Sequence, residues 1–148
     1  MNMKKASYKF LNHTADVSVE AIGATLEEAF EQTVYSLMET ISPSFRSIIT
    51  PKIEKIIIIE AEDKEALLFD FLTEFLYIFD VEELIFNEIQ IQSIKKSKNK
   101  YSLKAVAKGE KFDKIKHESG TEVKAITYSF INVEEKKNRV KINIVFDI

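Results

Sequence analysis

The chain contains no cysteine, three glycines, two prolines and two histidines in 148 residues, and each scarcity removes a class of chemistry. Without cysteine there are no disulfides, thiolate zinc sites or cysteine nucleophiles, which fits a reducing interior and makes the cytoplasm the expected compartment. His13 and His117 are too few to close a structural zinc site when no thiolate can complete it. The glycines, Gly23, Gly109 and Gly120, are never clustered, so there is no glycine-rich phosphate loop. No serine sits in a G-x-S-x-G elbow, and neither histidine has a spacing that suggests a triad. Long apolar runs are also missing: the isoleucines at 56–59 are far too few to span a bilayer. No segment joins a basic start, an apolar middle and a small-residue cleavage site, so no membrane partner is expected. Positive charge is not in excess either. A formal net charge of −3 argues against a domain that holds nucleic acid by bulk electrostatics. The densest cationic run, Lys95, Lys96, Lys98 and Lys100, is interrupted by Ser97 and Asn99 and reads as a solvated hairpin tip.

What is present describes a soluble globular chain. With 45% hydrophobic and 30% charged residues it can bury a sizeable core unaided, and residues 1–148 are expected to form one domain. Tyr8 and Phe10 alternate with polar neighbours, which predicts a first short strand over about 7–11. Asn12-His13-Thr14-Ala15-Asp16 follows as a turn. Val17, Val19 and Ala21 against Ser18, Glu20 and Ile22 then give a half-buried strand that supports Asp16 at its start. Thr25-Leu26-Glu27-Glu28 is an S/T-x-x-E capping box and predicts a helix with Leu26, Ala29, Phe30, Val34, Leu37 and Met38 on one face, stopped at Ser42-Pro43. The isoleucine-rich run 53–59 predicts an interior strand, apolar on both faces. Glu62 and Asp63 announce a second helix, whose leucines and phenylalanines over 66–79 call for burial nearly all round. Strands are expected over about 84–94, 100–108, 121–132 and 138–147. Between the second and third of these, residues 109–120 form a loop longer than a hairpin needs, a length that tends to serve a function. The expected fold is α+β, with two helices packed on a mostly antiparallel or mixed multi-stranded sheet.

The last strand sorts its faces: Val140, Ile142, Ile144, Phe146 and Ile148 alternate with Arg139, Lys141, Asn143 and Asp147. Alternation therefore sets the Ile148 side chain toward the core and the Asp147 side chain on the polar face, with the oxygens of Ile148 beside it. If Asp16 joins them, two carboxylates about 4 Å apart repel by roughly 4 kcal/mol at an effective dielectric of about 20, so the group needs a cation or a lysine. Oxygen-only ligation selects calcium or magnesium over zinc or copper. An exposed terminal Asp without a role is the plainer alternative.

Asn12-His13-Thr14-Ala15-Asp16, Thr25-Leu26-Glu27-Glu28-Ala29-Phe30, the helix ending in Leu76-Tyr77-Ile78-Phe79-Asp80, Gly109-Glu110, Glu122-Val123-Lys124-Ala125-Ile126-Thr127-Tyr128 and the final Phe146-Asp147-Ile148 together resemble the archease family, in order and over nearly the whole chain. The resemblance implies a small cytosolic protein, not itself an enzyme, that activates the GTP-dependent RNA-splicing ligase. It would promote guanylylation and multiple turnover of the ligase in tRNA splicing and RNA repair, and meet RNA only indirectly. It implies a divalent cation, calcium in the family, held by Asp16, Asp147 and Ile148, and a part for Lys124 in activating the ligase. A strand-edge lysine facing solvent is the plainer reading of Lys124. The 109–120 loop departs from the family pattern, being lysine-rich and without proline, so no role passes to His117. Two rival readings make different demands. A small metal-dependent phosphoester hydrolase using Asp16 and Asp147, with His13 as general base, would turn over substrate alone. A bare RNA-binding or chaperone-like module would bind RNA in a salt-sensitive way without any ligase.

Overall fold

The protein is described by a computed structural model that covers residues 5–11, 16–47 and 51–148. Alternating residues build β1 (Ser7–Leu11) and β2 (Val17–Gly23), which pair antiparallel with Tyr8 opposite Ala21 and Phe10 opposite Val19. The first helix, α1 (Leu26–Ile41), starts where the capping box predicts: the Thr25 hydroxyl accepts the Glu28 N–H at 3.1 Å. Glu28 in turn accepts the Ala24 N–H at 3.0 Å, one residue outside the cap. After β3 (Ile53–Ala61), the carboxylate of Asp63 accepts the Ala66 N–H at 2.7 Å and opens α2 (Lys64–Glu82). That helix ends at Glu83, whose φ of 56° turns the chain out through the left-handed region.

The second half is antiparallel: β4 (Leu84–Ser97), β5 (Lys100–Lys111), β6 (Ala125–Ile126), β7 (Asn132–Lys136) and β8 (Arg139–Asp147). Two sheets result. The larger runs β1-β2-β8-β6, with β7 also on β8; the smaller runs β3-β5-β4. Both helices lie against both sheets: α1 touches β2, β8 and β4, while α2 touches β3, β5, β6 and β7. Phe30, Phe71, Phe75 and Phe86 are fully buried at the centre, Phe30 stacked on Phe71 and the others meeting edge to face, a geometry that favours ring quadrupoles as well as apolar burial. The expectation of an α+β fold with two helices holds.

Four expectations of detail do not hold. The β3 strand is not interior: among the described residues it pairs only with β5, and Ile56 and Ile58 are 60% and 67% exposed, because α2 covers one face of this edge strand and no described residue covers the other. The α2 helix is not buried all round, since Asp70, Thr73, Tyr77 and Val81 form a solvent-facing stripe at helical spacing. The hairpin strands run beyond 94 and 108, to Ser97 and Lys111, leaving Lys98-Asn99 as a two-residue connection. Finally, no continuous strand covers 121–132. The chain pairs with β8 only over Ala125–Ile126, leaves the sheet in a 3-10 turn at Tyr128–Phe130, and returns to the same edge as β7. No helix among the described residues is long and apolar enough to cross a membrane.

Candidate functional site

At one end of the larger sheet β2 begins, β8 finishes and β6 begins, on adjacent positions. Val17 lies opposite Phe146, so the next residues outward, Asp16 and Asp147, continue that register. On the other side of β8, Ala125 lies opposite Asp147, the Lys124 N–H donates to the Asp147 carbonyl at 2.8 Å, and the Thr127 N–H donates to the Val145 carbonyl at 3.0 Å. Asp16 thus precedes the first paired residue of β2, Asp147 follows its partner Phe146 on β8, and Lys124 is bonded to Asp147 from the β6 side. Three residues far apart in the chain are thus brought together by strand order.

Asp147 and Lys124 are exposed and Asp16 is half-buried. None of the three has an ion pair among the described residues. Two unpaired carboxylates on neighbouring strands, with the main-chain oxygens of Ile148 beyond them, make an oxygen donor set that suits a hard cation. The described residues do not gather three His, Cys, Asp or Glu side chains in one place, so this donor set is open rather than a closed cage. His13 and Thr14 lie outside the described residues. Ile148 is 36% exposed, where the ladder with β6 stops at Asp147.

The segment leading to Lys124 is tied down at the end of α1. The Gly120 N–H donates to the Ile41 carbonyl and the Thr121 N–H to the Thr40 carbonyl, both at 2.8 Å, satisfying last-turn carbonyls that the helix leaves open. A Cβ on Gly120 would lie 2.3 Å from the Thr40 carbonyl oxygen, so the close approach requires glycine. Between this segment and β2 lies a hollow of about 320 Å3 lined by Asp16, Ser18, Glu39, Thr40 and Gly120 among others. Glu39 accepts the Tyr8 hydroxyl at 2.6 Å, and Arg46 donates to the same hydroxyl at 3.2 Å. Burial first, then the Glu39 hydrogen bond, push the Tyr8 phenol above its ordinary range. Sequence reasoning missed Glu39 and Gly120 as neighbours of Asp16: a polar residue on a helix and a glycine in a loop carry no local signal of what they will face. The polar contacts of His117 are with Glu110 and Asp113 instead.

Comparison with known proteins places this arrangement. The sequence profile of the archease protein family matches residues 8–148. The chain is 43% identical over 127 residues to the protein archease of Pyrococcus furiosus, covering 86% of this chain and 87% of that protein. It is 36% identical over 141 residues to the protein archease of Methanosarcina mazei, covering 95% of each. Among solved structures, it is similar to the solution structure of Methanobacterium thermoautotrophicum protein 1598, with a TM-score of 0.82, 29% identity, and 95% and 98% of the two chains covered. The crystal structure of an archease, described as a possible chaperone, from Thermotoga maritima matches with a TM-score of 0.60 and 26% identity, covering 100% of this chain and 99% of that one.

Proposed function

Because the chain belongs to the archease family, we propose that it is a metal-binding activator of a GTP-dependent RNA-splicing ligase, acting in the cytoplasm and meeting RNA through the ligase. It would promote guanylylation and multiple turnover of the ligase in tRNA splicing and RNA repair. The observation that carries this reading is the convergence of Asp16, Asp147 and Lys124 on the adjacent ends of β2, β8 and β6. Two carboxylates and an ammonium without an ion pair among the described residues, at one end of the sheet, suit contact with a partner better than chemistry in a water-excluded pocket.

In this reading Asp16, Asp147 and the main-chain oxygens of Ile148 hold a divalent cation, with calcium favoured by an all-oxygen set. When bound, the cation supplies a fixed positive charge and open positions for further oxygens. Lys124 presents a compact point charge able to meet a phosphate or a carboxylate of the partner. Its main chain is tied to the end of β8 by the hydrogen bond to the Asp147 carbonyl, just ahead of β6, so the lysine is presented from a fixed backbone.

The test is an assay of purified ligase with GTP, scored for guanylylated ligase and for turnover on RNA, with and without substoichiometric amounts of this protein. Faster guanylylation and more turnovers are expected, together with no phosphodiester cleavage by the protein alone. Cleavage by the protein alone that disappears in Asp16→Ala would overturn the proposal in favour of a metal-dependent hydrolase.

A further inference from the structure

The first half of the loop after β5 is a built structure that the sheet-end site does not use. His117 is 2% exposed. Its Nδ1 accepts the Asp113 N–H at 2.9 Å, and its Nε2 lies 3.1 Å from Glu110 Oε1, which fixes the tautomer with the proton on Nε2. The Asp113 carbonyl accepts the N–H groups of Lys116 and His117 at 3.1 and 2.6 Å, and Asp113 Oδ1 accepts the Ile115 N–H at 2.9 Å. The Phe112 ring is stacked on His117, with centroids 5.6 Å apart, and meets Phe79 edge to face. These contacts clamp residues 110–117 into one closed turn.

Beside that turn is a hollow of about 710 Å3, lined by Lys52, Lys111, Lys114 and Lys116 together with Glu110 and Asp113. Four lysines thus share this lining with two carboxylates, of which Glu110 is paired with a lysine and Asp113 keeps its charge. Glu110 takes Lys116 at 2.6 and 2.7 Å as well as His117, and Asp113 closes the turn. Lys52, Lys111 and Lys114 are exposed and have no ion pair among the described residues. In a chain of net charge −3, three unneutralised lysines around one concavity reverse the local sign.

We infer that this hollow binds phosphate groups, either of a nucleotide or of a single-stranded nucleic-acid backbone. Lysine ammonium groups act as point charges that donate to phosphate oxygens from many directions, and the hollow lies within the roughly 300–1,000 Å3 range of small-molecule sites. Base reading is not built in: among the described lining residues Phe112 is the one aromatic ring, and it is stacked on His117 and meets Phe79 edge to face, so there is no platform of several rings for successive bases. The ligand is held by its phosphates without regard to base identity. This inference uses none of the Asp16 rim; its nucleotide arm leaves the activator reading as it stands, whereas its oligonucleotide arm gives the protein a contact with RNA of its own beside the one through the ligase.

The experiment is fluorescence anisotropy with two probes, a labelled short single-stranded oligonucleotide and a labelled nucleoside triphosphate, between about 50 and 200 mM salt. Three proteins are compared: the full chain, its Lys52→Ala/Lys111→Ala/Lys114→Ala variant, and a Lys95→Ala/Lys96→Ala/Lys98→Ala variant with the same loss of charge at the β4–β5 hairpin tip. At low salt the first variant should lose about tenfold or more in affinity for the probe that binds, and the slope of log affinity against log salt for the oligonucleotide should fall by roughly 2. The hairpin variant should stay within about twofold of the full chain. Tighter binding of the oligonucleotide assigns the site to a polymer backbone, and tighter binding of the triphosphate assigns it to a nucleotide. Equal weakening by both variants, or no binding of either probe by the full chain at low salt, would overturn the inference.

Discussion

The Glu110 carboxylate receives the Lys116 ammonium at 2.6 and 2.7 Å and the His117 ring at 3.1 Å. These contacts, the Lys116 hydrogen bond foremost, hold its pKa below the ordinary carboxylate value near 4.5. A carboxylate depressed in the folded state contributes stability that is present above its unfolded value and is lost as pH falls through the folded one. Glu110→Gln should therefore melt below the unmodified protein at neutral pH, and the gap should close as pH drops below about 4.5. Thermal melts across that range check it, and a gap that stays constant down to pH 3 would show that the charge of Glu110 does not hold the loop. At this scale the sequence was informative wherever a residue acts on its own neighbours. Thr25 and Glu28 form their cap three residues apart, and Asp63 caps α2. His117 is the counterexample: its partners Glu110 and Phe112 are close in sequence, but only the folded loop turns the ring onto them.

Elements were legible by period and illegible by neighbourhood. The helices and the alternation of β8 follow from patterns that a strand or helix must carry to bury one face. The edge position of β3 does not, because a run of isoleucines states apolarity and not how many strands will flank it. The break at Tyr128–Phe130 is similar: Ala125–Ile126 and β7 take turns on the same edge of β8, and the pattern across 121–132 is continuous enough to hide the turn between them. One connection carries more weight than its length implies. Gly120 lets the chain cross the end of α1, and a Cβ there would lie 2.3 Å from the Thr40 oxygen. Gly120→Ala should displace the segment and break its two hydrogen bonds to Thr40 and Ile41, costing about 1–3 kcal/mol in urea unfolding. An unchanged urea midpoint would show that the segment yields without cost.

For the whole molecule, the sheet-end site illustrates what a motif can and cannot say. Asp16 and Lys124 stand in recognisable runs and Asp147 ends a clearly alternating strand, so each was singled out from sequence. That they share one rim depends on the order β2-β8-β6, which no local pattern encodes. In the proposed cation site, the open donor set and the partly exposed Ile148 would leave Asp16 and Asp147 as the two charges on which affinity depends. Lys124→Ala, which removes no oxygen donor, should leave calcium binding within about twofold and reduce ligase activation; unchanged activation would remove Lys124 from the proposed site. The most direct measurement is calcium titration calorimetry on the unmodified protein and on Asp147→Asn, a substitution that keeps the shape and removes one charge. The unmodified protein is expected to bind calcium and the variant to bind about tenfold or more weakly. Equal affinity in the two proteins would contradict a cation held at the end of β8.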